Sequence, residues 1–234
     1  MKILAIDTSS HVMGTAVSSE NGILAEYITN FKKNHSLRLM PAVHQMMKEV
    51  DMAPEELDAV AAAKGPGSYT GVRIGVTTAK TMAWSLGIPV YGISSLMQLA
   101  AGGTWFPGLI CPFADARRGR VYTGLYRFRN GILTTERSDR VTSLDDWLEK
   151  LNETEKPVLF LSRDSKQHES AIRDTLGERA VFGGDAENRP RPSDLISLTA
   201  QMEPQPPHSL VPEYAQMAEA EKKWYAAEEG RTYE

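Results

Sequence analysis

Apolar and polar positions at the start of the chain alternate as strands do. Ile3-Leu4-Ala5-Ile6 is an apolar run that closes on Asp7-Thr8-Ser9, which predicts a buried strand ending in a polar turn. Val12 to Ser18 alternate as a second strand, Glu20-Asn21-Gly22 supplies a hairpin turn, and Ile23 to Phe31 form a third, so the chain opens as an antiparallel meander. The period then changes to that of a helix. His35-Ser36 opens it with Ser36 as the expected N-cap, Pro41 falls in its early turns, and it ends near Val50, before Met52-Ala53-Pro54. Its apolar arc is broad: Leu39, Val43, Met46 and Val50 make one stripe, with Leu37, Met40 and Met47 beside it.

Leu57 to Ala63 reads as a short strand buried on both faces, followed by Gly65-Pro66-Gly67-Ser68-Tyr69-Thr70-Gly71-Val72-Arg73-Ile74-Gly75. Three glycines and a proline within seven residues cannot lie inside a helix, yet Val72, Val76, Ala79, Met82, Ala83 and Leu86 recur at helical spacing. The stretch is therefore a strand-to-helix turn. Such a turn presents free backbone N–H groups to an anion, or it lets another backbone come close; both readings are open. It lacks the Gly-Lys-Ser/Thr ending of a nucleotide phosphate loop and the Gly-x-Gly-x-x-Gly spacing of a dinucleotide site. The far side of this second helix, with Ile74, Thr77, Thr81 and Trp84, is only weakly polar. Two neighbouring helices with spare apolar surface suggest a partner, unless other parts of the chain cover them, and the methionines suit adaptable packing.

Gly87 stops the second helix, Val90 to Ile93 form a strand, Ser94-Ser95 cap a helix to Ala101, and Gly102-Gly103 mark a lobe boundary. Residues 1–102 are thus expected as a first lobe and 103–211 as a second. The second repeats the opening of the first. A strand at Leu109 to Ala116 turns through Arg117-Arg118-Gly119-Arg120 into Val121 to Tyr126, and Arg129-Asn130-Gly131 turns again into Ile132 to Thr135. Arg117, Arg118 and Arg120 at one tip are a candidate grip on an anion or tRNA, or a solvated turn paired with Asp115. Helices are expected at 144–151, 169–176 and 193–201, strands at 157–161 and 180–182, and a further helix at 218–227 returning to the first lobe. Gly183-Gly184-Asp185 is too short to assign.

Bulk composition is that of a globular protein: 41% hydrophobic and 24% charged over 234 residues. A formal charge of −4 leaves no general basic field, so nucleic acid would have to meet a local patch. The lone cysteine, Cys111, fits a reducing compartment, and the lack of a signal-like or membrane-spanning apolar run points to a soluble, cytoplasmic protein. Metal chemistry finds no support: the five histidines form no His-x-x-x-His pair. Gly-x-Ser-x-Gly is also absent, and no catalytic set stands out. Asp7 at the first turn either holds a metal-bound water, as in ATP-hydrolysing two-lobed enzymes, or caps its own turn.

Three motifs carry a resemblance. Ile3 to Ser9, Gly65 to Gly75, and Asp115-Ala116-Arg117-Arg118-Gly119-Arg120-Val121-Tyr122 together resemble the TsaB family, also called YeaZ, over nearly the whole chain. The resemblance implies an α/β, two-lobed fold of the actin, sugar-kinase and Hsp70 (ASKHA) type, each lobe a mixed sheet with helices, and a C-terminal helix at about 212–234 packing back on the first lobe. It implies a place in making threonylcarbamoyladenosine beside the anticodon of tRNAs that read codons starting with A. There a separate enzyme makes threonylcarbamoyl-adenylate from threonine, bicarbonate and ATP, TsaD transfers the group, and TsaE is an ATPase that resets the complex. The chain itself would be a non-catalytic scaffold without a cofactor. It would pair with TsaD, or with itself as a homodimer, and meet tRNA indirectly through the complex.

The family's pairing surface falls here on His35, Leu37, Met40, Val43, His44, Met47, Ile74, Thr77, Thr81 and Trp84. On this expectation Met40→Arg or Met47→Arg breaks pairing and leaves the monomer folded. Asp7, Thr8, Ser9, Gly65, Gly67 and Ser68 would be a vestigial phosphate or nucleotide contact. Where the paralogue TsaD carries its His-x-x-x-His metal ligands, this chain reads Ser94-Ser95-Leu96-Met97-Gln98. The alternative is a small-molecule kinase or ATPase that uses Asp7 and the glycine loops.

Overall fold

The computed structural model describes residues 1–31 and 34–214. Among them the chain forms two five-stranded sheets built to one plan. The first runs β1 (Ile3–Asp7), β2 (Met13–Ser19), β3 (Gly22–Thr29), α1 (His35–Glu49), β4 (Ala59–Ala63), α2 (Tyr69–Leu86), β5 (Val90–Ile93) and α3 (Ser95–Ala101). The second runs β6 (Leu109–Asp115), β7 (Arg120–Arg129), β8 (Ile132–Ser143), α4 (Leu144–Asn152), β9 (Val158–Leu161), α5 (Ser165–Leu176) and β10 (Ala180–Phe182). Strand orders are β3-β2-β1-β4-β5 and β10-β9-β6-β7-β8. In each an antiparallel meander is extended by two parallel strands on the other side of its first strand.

The hydrophobic pattern explains the layering. β4 is buried on both faces, so it reads as an unbroken apolar run: Val60 and Ala62 face α1 and α2, while Ala59, Ala61 and Ala63 face the middle of the molecule. Three apolar layers result. One lies between the first sheet and α1 with α2, a second lies between the two sheets around α3, and a third lies between the second sheet and α4 with α5. Ser94 and Ser143 cap their helices as the sequence suggests, with hydroxyls accepting from Leu96, Met97 and Asp146 backbone N–H groups. Ser36 does not cap α1. The N-cap is Asn34, whose carbonyl accepts from Leu37 N–H, which leaves Ser36 already inside the first turn.

The chain leaves the second sheet earlier than position 212. α6 (Pro192–Leu198) lies against β1 and β2, and Gly14 on β2 is held so close to Pro192 that a Cβ there would sit 2.9 Å from its ring. Beyond it a strap crosses the first sheet's end. Gln205 exchanges both backbone hydrogen bonds with Val90, Leu210 is buried in the α1–α2 layer, and Lys80 Nζ donates to the carbonyls of His208 (2.9 Å) and Leu210 (3.2 Å). Glu213 closes it, its N–H donating to Lys64 O at 2.7 Å and its carboxylate meeting Lys64 Nζ at 2.9 Å. Residues 191–213 thus make their contacts with the first sheet, although the sequence suggested a second lobe to 211. The helix expected at 218–227 and most of the one expected at 212–234 lie outside the described residues.

α6 is anchored to β3 by charge. Arg191 forms an ion pair with Glu26, and Ser193 N–H donates to Glu26 Oε1 at 2.9 Å. Asp194 sits beside this pair in the first turn of α6. Burial pushes its carboxyl up to about 6, the Glu26 charge adds to that, and Arg191 opposes it. An unfolded Asp loses its proton near pH 4, so between about pH 4 and 6 the folded chain holds more protons and loses stability as pH rises. Asp194→Asn should therefore gain on the order of 2 kcal/mol at pH 7 and nothing at pH 4 in urea denaturation. An equal effect at both pH values would show that the carboxyl titrates normally.

Candidate functional site

The turn between β4 and α2 is filled by the chain's own backbone. Ser68 N–H donates to Ser9 O at 2.7 Å, the Thr8 hydroxyl donates to Gly71 O at 2.7 Å, and Ser68 Oγ accepts from Gly71 N–H at 3.2 Å. A Cβ on Gly71 would stand 2.1 Å from Thr8 O, one on Gly67 2.3 Å from Ser9 O, and one on Gly65 2.4 Å from Glu213 O. These glycines are required because three backbone segments meet there. Asp7 is fully buried, its Oδ1 caps the turn by accepting from Ser9 N–H at 2.8 Å, and burial pushes its carboxyl up against that bond. Of the six residues expected as a vestigial phosphate contact, Asp7, Thr8, Ser9 and Gly65 are buried, Gly67 is half-buried and Ser68 is exposed.

That packing fixes α2 and, beside it, α1. The outward side of the pair carries large apolar groups: Leu37 is 71% exposed, Met40 44% and Trp84 76%. His44, Thr77 and Thr81 are exposed with them, His35 is half-buried with its ring Nε2 3.0 Å from Ser10 O, and Ile74 is half-buried against the core. Two members of the expected surface belong elsewhere. Val43 and Met47 are only 2% and 4% exposed and join Leu39 and Met46 on the stripe that meets the first sheet. Met47→Arg would bury a charge in the core, so the expectation that its monomer stays folded is withdrawn.

A polar cluster that sequence reasoning missed joins the two sheets. The hydroxyls of Ser94, at the start of α3, and Tyr126, on β7, both donate to the carboxylate of Asp139 on β8. Burial pushes the Asp139 carboxyl up against those two donors, and burial together with the Asp139 charge pushes the Tyr126 hydroxyl far up. Gln98, one turn along α3, is buried and donates to Arg191 O at 3.0 Å. Here α3 carries groups that hold the sheets together. Among the described residues no group of three His, Cys, Asp or Glu side chains could hold a metal. Cys111 is buried under Trp147, and burial pushes its thiol up to about 11, which makes it a poor nucleophile.

The arginine tip between β6 and β7 has an unusual backbone. Arg117 (φ 65°), Arg118 (φ 55°) and Gly119 (φ 71°) are consecutive left-handed residues, a state that costs a non-glycine residue roughly 1–2 kcal/mol. Asp115 Oδ1 accepts from Arg117 N–H at 3.0 Å, and Asp115 N–H donates to Asp164 Oδ2 at 3.1 Å. Burial pushes the Tyr122 hydroxyl up while Arg120 and Arg117 oppose it, so both guanidinium groups stand near this ring.

In an ordinary helix Gly→Ala gains about 1 kcal/mol. Gly71→Ala is expected to cost about 1–3 kcal/mol instead, because Thr8 O occupies the space of the methyl group. Guanidinium denaturation reads the sign, and a stabilised variant would show that the turn has room.

Comparison with known proteins agrees with this architecture. The family model described as "TsaD: tRNA N6-adenosine threonylcarbamoyltransferase" matches residues 22–224. A Bacillus subtilis protein named tRNA threonylcarbamoyladenosine biosynthesis protein TsaB is 54% identical over 224 residues, covering 96% of this chain and 98% of the relative. A TsaB of Buchnera aphidicola (subsp. Schizaphis graminum) is 33% identical over 155 residues, covering 64% of this chain and 73% of its own. Among solved structures, YeaZ from Pseudomonas aeruginosa superposes with a TM-score of 0.76 at 24% identity, over 91% of this chain and 99% of that one. A second Pseudomonas aeruginosa structure, an uncharacterized protein similar to peptidase YEAZ, gives 0.80 at 24% identity, over 92% and 99%. The fold is the two-lobed actin-like one that the motifs implied, and the chain belongs to the TsaB (YeaZ) family of tRNA threonylcarbamoyladenosine biosynthesis proteins.

Proposed function

We propose that this chain is a non-catalytic scaffold subunit that docks on a TsaD transferase through the outer face of α1 and α2 and activates it for threonylcarbamoylation of tRNA. The observation that carries the reading is the exposure of Leu37, Met40 and Trp84 on two helices whose other faces are well packed. Apolar groups of this size left exposed on the outer sides of neighbouring helices are surface that a partner removes from water, and a tryptophan is a strong anchor in such a surface. The match to the TsaD family model supports a pairing between related folds. A chain that resembles its partner can use one self-complementary patch both for the heterodimer and, when alone, for a homodimer. TsaE would join the resulting complex, and tRNA would reach it through the assembled subunits.

The residues at α3 support a scaffold role as well. By the resemblance, Ser94-Ser95-Leu96-Met97-Gln98 stands where the transferase carries its His-x-x-x-His ligands; Ser94 instead bonds Asp139 of the second sheet, and Gln98 bonds Arg191 O at the start of α6. Met40→Arg and Trp84→Arg should each weaken association with TsaD by at least about 2 kcal/mol, near thirtyfold in Kd, with the monomer's melting unchanged. Isothermal titration calorimetry checks the affinity and circular dichroism checks the fold. Wild-type affinity in both variants would remove this face from consideration.

A further inference from the structure

We propose that the β6–β7 turn is a phosphate-binding tip that holds the sugar-phosphate backbone of the tRNA. The chain offers its own comparison. The β7–β8 turn is made by Asn130 (φ 52°) and Gly131 (φ 80°), the residues that adopt left-handed backbone at least cost. At β6–β7 the same backbone is imposed on Arg117 and Arg118, with glycine only third. Strain kept at two adjacent non-glycine positions is a mark of a functional turn, and what it gains here is two exposed arginines at one tip. Arg120 follows, and its charge and that of Arg117 both act on the Tyr122 hydroxyl. Two carboxylates of the tip bond backbone: Asp115 Oδ1 accepts from Arg117 N–H and Asp164 Oδ2 from Asp115 N–H. Arg163 and Lys166, both exposed, flank Asp164 and extend the basic surface.

The ligand is a polyanion because the tip is open to water. A single small anion on exposed charges is screened and weakly held, whereas several phosphates on one chain release counterions as each is neutralised. An arginine fork also matches the phosphate oxygens. The choice of tRNA as the polyanion rests on the functional reading above. The site itself lies on the second sheet, apart from α1 and α2, so the two stand or fall separately.

The test is fluorescence anisotropy of labelled tRNA titrated with the full chain between about 50 and 200 mM salt. Two double variants are compared, Arg117→Gly with Arg118→Gly and Arg117→Lys with Arg118→Lys. Glycine relieves the left-handed strain, so the glycine variant should melt higher than wild type while binding tRNA at least about tenfold more weakly, with a salt slope smaller by about 1.5 to 2. The lysine variant should stay near wild type. Wild-type chain that fails to bind tRNA at the lowest salt, or a glycine variant with wild-type affinity and slope, overturns the proposal. Complete displacement of tRNA by millimolar ATP overturns it too, since the tip would then take a nucleotide. Size exclusion of the same proteins with TsaD reads docking independently, so a failure there leaves the tRNA result standing.

Discussion

The contact on which the molecule depends is the one between the Thr8–Ser9 backbone and the glycines that open α2. With Thr8 O 2.1 Å from where a Gly71 Cβ would be, α2 lies directly on the end of β1 and cannot rise or turn. Hydrogen bonds from Ser68 N–H and the Thr8 hydroxyl fix the depth and register of that approach. The carbonyl groups of Thr8 and Ser9 lie against Gly71 and Gly67, and the turn positions a helix.

Everything around the turn reinforces that position. Glu213 O covers Gly65, Tyr214 stacks on Tyr69 with ring centroids 4.8 Å apart and its hydroxyl accepts from Arg73 Nε at 2.6 Å, and Lys80 holds the strap further along α2. Ser95 N–H donates to Gly65 O at 2.9 Å, which ties α3 to the same turn, and Ser94 beside it reaches Asp139 across the interface between the sheets. An α2 fixed in this way next to α1 leaves Leu37 and Met40 near the start of one helix and Trp84 near the end of the other exposed on settled supports. Preorganisation of this kind lowers the ordering cost of association and suits a docking subunit.

The period of the apolar residues made β1, β4 and α2 readable, and the glycine spacing made the turn between them readable, because those signals are local. Both interpretations of that turn were open in the sequence; the placement of Thr8 and Ser9 against Gly67 and Gly71 shows the close backbone approach that requires glycine. The helical arc of α1 was also visible, but a wheel cannot say where the sheet-facing side ends. Val43 and Met47 fall on that side, while Met40 and Leu37 do not. The Ser94, Tyr126 and Asp139 cluster left no local signal, since its members are 45 and 13 residues apart and each looks like an ordinary polar position. The return of the chain at Pro192 was hidden for the same reason: the Glu26 that anchors it lies in the first hairpin.

The central claim is that the α1–α2 face is a docking surface shared between copies of this chain and TsaD. Light scattering after size exclusion, on the chain alone and mixed in equal amounts with TsaD from the same organism, tests it most directly. The account predicts a dimer that gives way to a one-to-one complex on mixing. A chain that runs as a monomer and leaves the elution of TsaD unmoved would contradict it.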